Sequence, residues 1–180
     1  MDTIALFGGS FDPPHLGHVA IVEALEKLDF IDKIIIVPAF LNPFKTKTFA
    51  SSEQRLAWLE CLFETKKKVC IEDYELVQKR KVASIETVEY LLQKYAKIYF
   101  VIGADNLANL HQWHRFEALD EKVTFIVAKR NKIAIPKQYM TLDVDSPISS
   151  TMLRKKLDTK KISKKCAEQI AHHYKENNAK

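Results

Sequence analysis

The sequence predicts an α/β domain, a parallel sheet with helices packed on both faces. Short apolar runs alternate with helix-period patterns along the chain, as strand–helix–strand units require. Most of those runs, such as Ile34-Ile35-Ile36-Val37, are continuous rather than alternating, which is the mark of strands buried on both faces. The 180 residues are 47% hydrophobic and 28% charged, an ordinary mix for one compact domain with a real core.

Candidate strands are 3–7, 33–37, 69–71, 98–102 and 123–127, with a weaker one at 140–144. After the first strand, Ile21, Val22, Leu25 and Leu28 mark the inner face of a first helix. Ser51 and Gln54 form a capping box for a second helix, whose inner face is Leu56, Leu59 and Phe63. Ser84 caps a third, with Ile85, Val88, Leu92 and Tyr95 facing inward. Ser163 precedes a last helix with Cys166, Ile170 and Tyr174 on one face. The stretch 38–52 reads as a long loop carrying Asn42-Pro43-Phe44-Lys45. Loops of that length are often functional, although spacing alone fits a plain surface connection equally well. With no repeat and no Gly/Ser-rich linker, residues 1–180 form a single domain, with a C-terminal helical part at about 149–177.

Composition narrows the function classes. Lys and Arg number 28 against 23 Asp and Glu, a net charge of +5. That suits a protein handling phosphates and does not by itself support DNA binding. No apolar run approaches the roughly 18 residues of a membrane helix. The start, Met1-Asp2-Thr3-Ile4, has no basic segment before an apolar stretch, so no secretory signal is expected. Cys61, Cys70 and Cys166 lie far apart without metal-ligand spacing and read as reduced thiols of a cytoplasmic protein.

There are only four glycines. Gly8, Gly9 and Gly17 sit together beside two histidines, and Gly103 opens Gly103-Ala104-Asp105 after an apolar run. Glycine lets a backbone approach a ligand closely. The segment from Gly8 to His18 follows the first strand and opens the first helix. In an open parallel sheet ligands bind beyond the carboxyl ends of the strands, and a helix N-terminus there suits a phosphate. His15 and His18, three apart, share one face of the first turn and can both donate to phosphate oxygens. Neither the G-x-G-x-x-G nor the P-loop pattern is present. Taken singly, these glycines are turn residues and the histidines a metal pair or solvated groups; the whole string outweighs that reading.

That string, Gly9-Ser10-Phe11-Asp12-Pro13-Pro14-His15-Leu16-Gly17-His18, resembles the G-[ST]-F-D-P-x-H-x-G-H signature of the nucleotidyltransferase α/β-phosphodiesterase superfamily. Ile148-Ser149-Ser150-Thr151-Met152-Leu153-Arg154 is similar to its I-S-S-T-x-x-R motif. There a capped helix start and the Arg154 fork can converge on a phosphate, although taken alone the stretch reads better as an ordinary capped helix with a surface arginine. The middle of the chain resembles bacterial nicotinate-nucleotide adenylyltransferases. Tyr99 to Asp105, followed by Leu110 and Trp113, is similar to their strand-G-A-D-x(4)-L-x-x-W stretch. Asp73 to Leu76 and on through Thr87-Val88 is similar to the segment before their third helix, and Val123 to Arg130 to their V-x-F-x-V-x-x-R strand. Two positions differ from the family. Phe44 stands where it has a histidine, and Val82-Ala83-Ser84 stands for its S-Y-T, with only Ser84 keeping a hydroxyl. Both changes fall at the pyridine end.

The resemblance implies a Rossmann-like, doubly wound sheet and transfer of the adenylyl group of ATP to nicotinate mononucleotide, giving deamido-NAD and pyrophosphate. It implies His15, His18 and Arg154 as catalytic residues. ATP would be held by Gly8, Gly9, Ser10, Phe11, Gly103, Asp105, Ser149, Ser150 and Thr151. The mononucleotide would be held by Lys45, Ser84 and Trp113, with Trp113 as stacking face; by itself Trp113 reads as a half-buried core residue. Mg²⁺ is expected on the ATP phosphates, with no metal site on the protein. His111 and His114 read as surface or pocket-wall residues. Expected partners are ATP and nicotinate mononucleotide, with neither membrane nor nucleic acid; a homo-oligomer stays open. Alternatives are a phosphopantetheine adenylyltransferase, an enzyme preferring nicotinamide mononucleotide, or a nucleic-acid-binding module built on the basic run from Arg154 to Lys165.

Overall fold

In the computed structural model the described residues are 1–130, 132–144, 160 and 164–178. Six parallel strands form one sheet: β1 (Thr3–Gly9), β2 (Lys33–Pro38), β3 (Val69–Ile71), β4 (Lys97–Gly103), β5 (Thr124–Ala128) and β6 (Met140–Leu142). The helices are α1 (Leu16–Glu26), α2 (Ser52–Phe63), α3 (Tyr74–Gln78), α4 (Ser84–Leu91), α5 (Phe116–Lys122) and α6 (Lys164–Asn178), with a 3₁₀ helix over Ala104–Gln112. The predicted fold class and all six strands are present.

The order is β3-β2-β1-β4-β5-β6. The chain winds outward from β1 to β3, then returns to lay β4 beside β1. That reversal sends later helices to the opposite face, because parallel crossovers keep one hand. Side chains of each strand alternate between two cores. Ala5, Phe7, Ile34, Ile36 and Val101 pack with Val22 and Leu25 of α1 and Leu59 and Phe63 of α2. Ile4, Leu6, Ile35, Val37, Phe100 and Ile102 pack with Ile85, Val88 and Leu91 of α4 and Leu119 of α5. A third cluster joins Trp58 of α2 to Cys166, Ile170 and Tyr174 of α6, the face expected for that last helix.

Several local readings need correction. Ala83, not Ser84, is the N-cap of α4, and its N–H donates to the Glu86 carboxylate at 3.0 Å. A carboxylate reaching back replaces the expected hydroxyl cap. Ser51 does cap α2, accepting from the Gln54 N–H at 3.1 Å, but that is half a capping box. In α2 Arg55 and Trp58 are fully buried while Leu56 is only partly so, because α6 covers a second side of the helix. The thiols of Cys61 and Cys166, distant in sequence, lie 3.0 Å apart between α2 and α6. Among the described residues no helix is long and apolar enough to cross a membrane.

Candidate active site

β1 and β4 end side by side at Gly9 and Gly103, where the winding reverses. A cavity of about 220 Å³ opens there, lined by Gly8, Gly9 and His18 on one side and by Gly103, Asp105 and Arg130 on another. Ser84, Thr87 and Trp113 close a third side, so elements from both halves of the sheet meet at one space. A Cβ on Gly103 would stand 2.5 Å from Asp105 Oδ1, so a larger residue here would displace the Asp105 carboxylate. None of the four glycines has a positive φ; close approach, not a left-handed backbone, is what they supply.

The first turn of α1 is capped by its own imidazoles. His15 is the N-cap, and its Nδ1 accepts the Gly17 N–H at 3.1 Å. His18 Nδ1 accepts the His15 N–H at 3.0 Å. The rings stack with centroids 3.7 Å apart. A nitrogen that accepts a backbone N–H carries no proton, so each ring is neutral with its proton on Nε2. Burial, aided by the charge of Arg130, pushes His15 down to about 4. Burial, then His15 and Arg130, holds His18 well below its usual value. His18 lines the cavity, whereas His15 is buried against it.

This has a consequence for stability. The unfolded chain protonates His15 near pH 6.5, but the folded chain only near 4. Below pH 6.5 the unfolded state therefore binds more protons, and stability falls with pH. His15 alone is expected to remove roughly 3 kcal/mol between those limits. Urea unfolding at stepped pH checks this, and His15→Asn, which keeps a capping oxygen without titrating, should flatten the slope.

Phe11 sits at φ 47°, a conformation uncommon for a bulky side chain. Its buried ring holds it there, packed edge-on to His18 at 4.8 Å and to Phe7 at 5.5 Å between centroids. Asp12 is buried and accepts the N–H groups of Phe49 at 2.7 Å and Ala50 at 3.0 Å, with the Tyr174 hydroxyl at 2.5 Å. One carboxylate thus ties the far end of loop 39–51, and α6, to the first turn. Arg55 completes the knot by donating to the carbonyls of Ser10 and Ala39, each at 2.7 Å, and of Phe40 at 3.2 Å. From the exposed part of the loop, Lys45 Nζ reaches Ser10 Oγ at 3.0 Å.

At the other end Trp113 is a shared wall. A neighbouring cavity of about 200 Å³ lies between it, Phe44, Ala83 and His114. Phe44, standing where a histidine was expected, borders that second space. His114 is a pocket-wall residue, as read from the sequence, and His111 is exposed.

Residues 6–156 match the model of the cytidylyltransferase-like family. The chain is 55% identical over 180 residues to a protein of Sulfurimonas denitrificans named "Probable nicotinate-nucleotide adenylyltransferase", covering 100% of this chain and 99% of that one. The chain belongs to the nicotinate-nucleotide adenylyltransferase family. A Campylobacter jejuni protein of the same name is 48% identical over 174 residues, covering 95% of this chain and 96% of its own. Among solved structures, the Plasmodium falciparum nicotinic acid mononucleotide adenylyltransferase complexed with NaAD matches the fold at a TM-score of 0.78 and 20% identity. That match covers 99% of this chain and 97% of the other.

The site residues read from sequence fall in three groups. Gly8, Gly9, His18, Ser84, Gly103, Asp105 and Trp113 all line one cavity. Phe11, His15, Ser10 and Lys45 do not line it: the first two pack on the His18 ring, and Lys45 meets Ser10 on the exposed side of the turn. Ser149, Ser150, Thr151 and Arg154 lie outside the described residues. Sequence reasoning missed four charged or polar wall residues: Arg130, Glu75, Thr87 and Asn106. Arg130 lies 3.4 Å from Asp105 Oδ2, two residues past the end of β5. The arginine closing the strand pattern was its only sequence signal.

Proposed function

We propose that the chain transfers the adenylyl group of ATP to nicotinate mononucleotide, giving deamido-NAD and pyrophosphate, and that the cavity at the β1/β4 switch point is where this happens. The observation that carries this reading is the meeting, in one space, of the imidazole-capped first turn and the Ser84–Trp113 wall. The first suits phosphates; the second suits a flat aromatic acid.

A mononucleotide phosphate oxygen attacks the α-phosphorus of ATP in line. The bond from that phosphorus to the β-bridging oxygen breaks, and pyrophosphate leaves. The nucleophile is already an anion at neutral pH, so the protein has to position the reactants and stabilise charge. The Nε2–H of His18 is assigned to the α-phosphoryl oxygens, and that of His15 to the phosphates beside it. Backbone at Gly8, Gly9, Phe11, Gly103 and Asp105 surrounds the adenosine, with Ser10 in the same turn. Lys45 offsets phosphate charge from the loop. Ser149, Ser150, Thr151 and Arg154 are assigned to the leaving pyrophosphate. Mg²⁺ travels on the ATP phosphates, since it keeps waters and prefers phosphate oxygens. The cysteine usage supports action in the cytoplasm.

Pyrophosphate release decides the reading when ATP and Mg²⁺ are offered with nicotinate mononucleotide, nicotinamide mononucleotide or phosphopantetheine. Turnover with the first is expected; turnover with phosphopantetheine alone would transfer the protein to another activity. Trp113→Ala is expected to raise the KM for the mononucleotide about tenfold, the worth of one aromatic contact, with little change for ATP. An effect on ATP alone would move Trp113 away from the pyridine.

A further inference from the structure

Glu75 has no part in the chemistry above, yet it stands in the same cavity wall as Ser84 and Trp113. It extends from the short helix α3, and Thr87 of α4 donates its hydroxyl to Glu75 Oε1 at 2.6 Å. Thr87 is buried, whereas Glu75 is partly open to the cavity. The carboxyl group is therefore fixed in place and turned into space meant for substrate. We infer that Glu75 is a specificity-determining residue, whose charge sets the balance between the acid and amide forms of the pyridine mononucleotide. This rests on the proposed adenylyl transfer.

The electrostatics are simple. A nicotinate carboxylate is ionised throughout the neutral range, so an ionised Glu75 in the same cavity repels it. A carboxamide has no such charge and offers N–H donors that a carboxylate can accept. Once protonated, Glu75 loses both effects and the acid form is favoured. Burial, together with the charge of Glu86, raises Glu75 to about 7, against the opposing hydrogen bond from Thr87. Its ionisation thus changes across the physiological range.

The other charged or titratable groups that line the cavity or act on Glu75 can be named. Glu86 of α4 is held by Arg80 at 2.7 Å and by the Ala83 N–H at 3.0 Å. His18 of α1 is neutral, held well below the range in question. Asp105 of the 3₁₀ helix and Arg130 after β5 pair with each other at 3.4 Å. Among the described residues, no Lys or Arg is hydrogen-bonded to Glu75.

The test is the ratio of kcat/KM for nicotinate mononucleotide to that for nicotinamide mononucleotide, measured across about pH 6 to 8 on the whole protein. Titration of the substrate phosphate is common to both and cancels in the ratio. In the wild type the ratio should fall about tenfold as pH rises, the order expected for a like-charge interaction across a cavity. In Glu75→Gln it should be flat and, at the upper end, higher than in the wild type. A purely structural role would change both substrates alike and leave the ratio unmoved. A flat wild-type ratio, or a slope that persists in Glu75→Gln, overturns the inference while leaving adenylyl transfer standing. The wild-type profile keeps the test decisive if the variant fails to fold. Absence of pyrophosphate release with either mononucleotide overturns the functional reading and this inference with it.

Discussion

Replacing His18 by Ala is expected to lower turnover by roughly a hundredfold or more, the scale for losing one fixed donor at a site of developing charge. His18 also holds the first turn, since its Nδ1 accepts the His15 N–H at 3.0 Å. Two further variants separate these jobs. His18→Asn keeps an acceptor near the position of Nδ1 and loses the Nε2–H, so it should be as slow as Ala while folding normally. His18→Gln keeps an N–H near Nε2 and loses the cap, so it should recover part of the rate at some cost in stability. Steady-state pyrophosphate release and urea midpoints give both readouts. Near-normal turnover in His18→Asn would remove the imidazole from the mechanism.

The largest expected effect on stability is at Arg55. Its side chain is fully buried and serves the carbonyls of Ser10, Ala39 and Phe40. Burial lowers its pKa, and the nearby charge of Asp12 works in the opposite direction. Arg55→Met keeps the apolar stem but leaves those buried carbonyls without their donor and removes a positive charge near Asp12. Removing one member of such a buried set typically costs about 3–5 kcal/mol. Chemical denaturation should show that loss as a lower midpoint with an unchanged slope. Arg55→Lys should rescue little, because a single ammonium cannot span the fork that meets several carbonyls. A midpoint within error of the wild type would mean that the knot contributes nothing net.

The strands were legible because burial on both faces writes itself as unbroken apolar runs, and each lies within about two residues of its predicted place. The long helices were legible from their periodicity. The segments at Tyr74–Gln78, Ala104–Gln112 and Phe116–Lys122 were not. Short helices have little intrinsic stability and exist because the folded chain packs against them. The same divide runs through the site. Gly8, Gly9, His18 and Gly103 are adjacent to strand ends, so topology alone gathers them. Arg55 and Glu75 are charged residues that ordinarily face water, and nothing local marks them as inward; Arg130 is marked only by its place at the end of a strand pattern. The pairing of β1 with β2 sets Ser10 near Ala39 for Arg55, and that of β4 with β5 sets Asp105 near Arg130.

The turn that begins α1 uses the lone pair of each imidazole for its own main chain. Such rings can give a hydrogen bond but have no vacancy with which to receive a proton, so they make poor relays. Hydrolysis by an activated water would draw on a basic group, and these two rings offer no free basic nitrogen for it. Exchange between phosphates asks for no such nitrogen, and a phosphate beside those rings meets a donor already fixed in place.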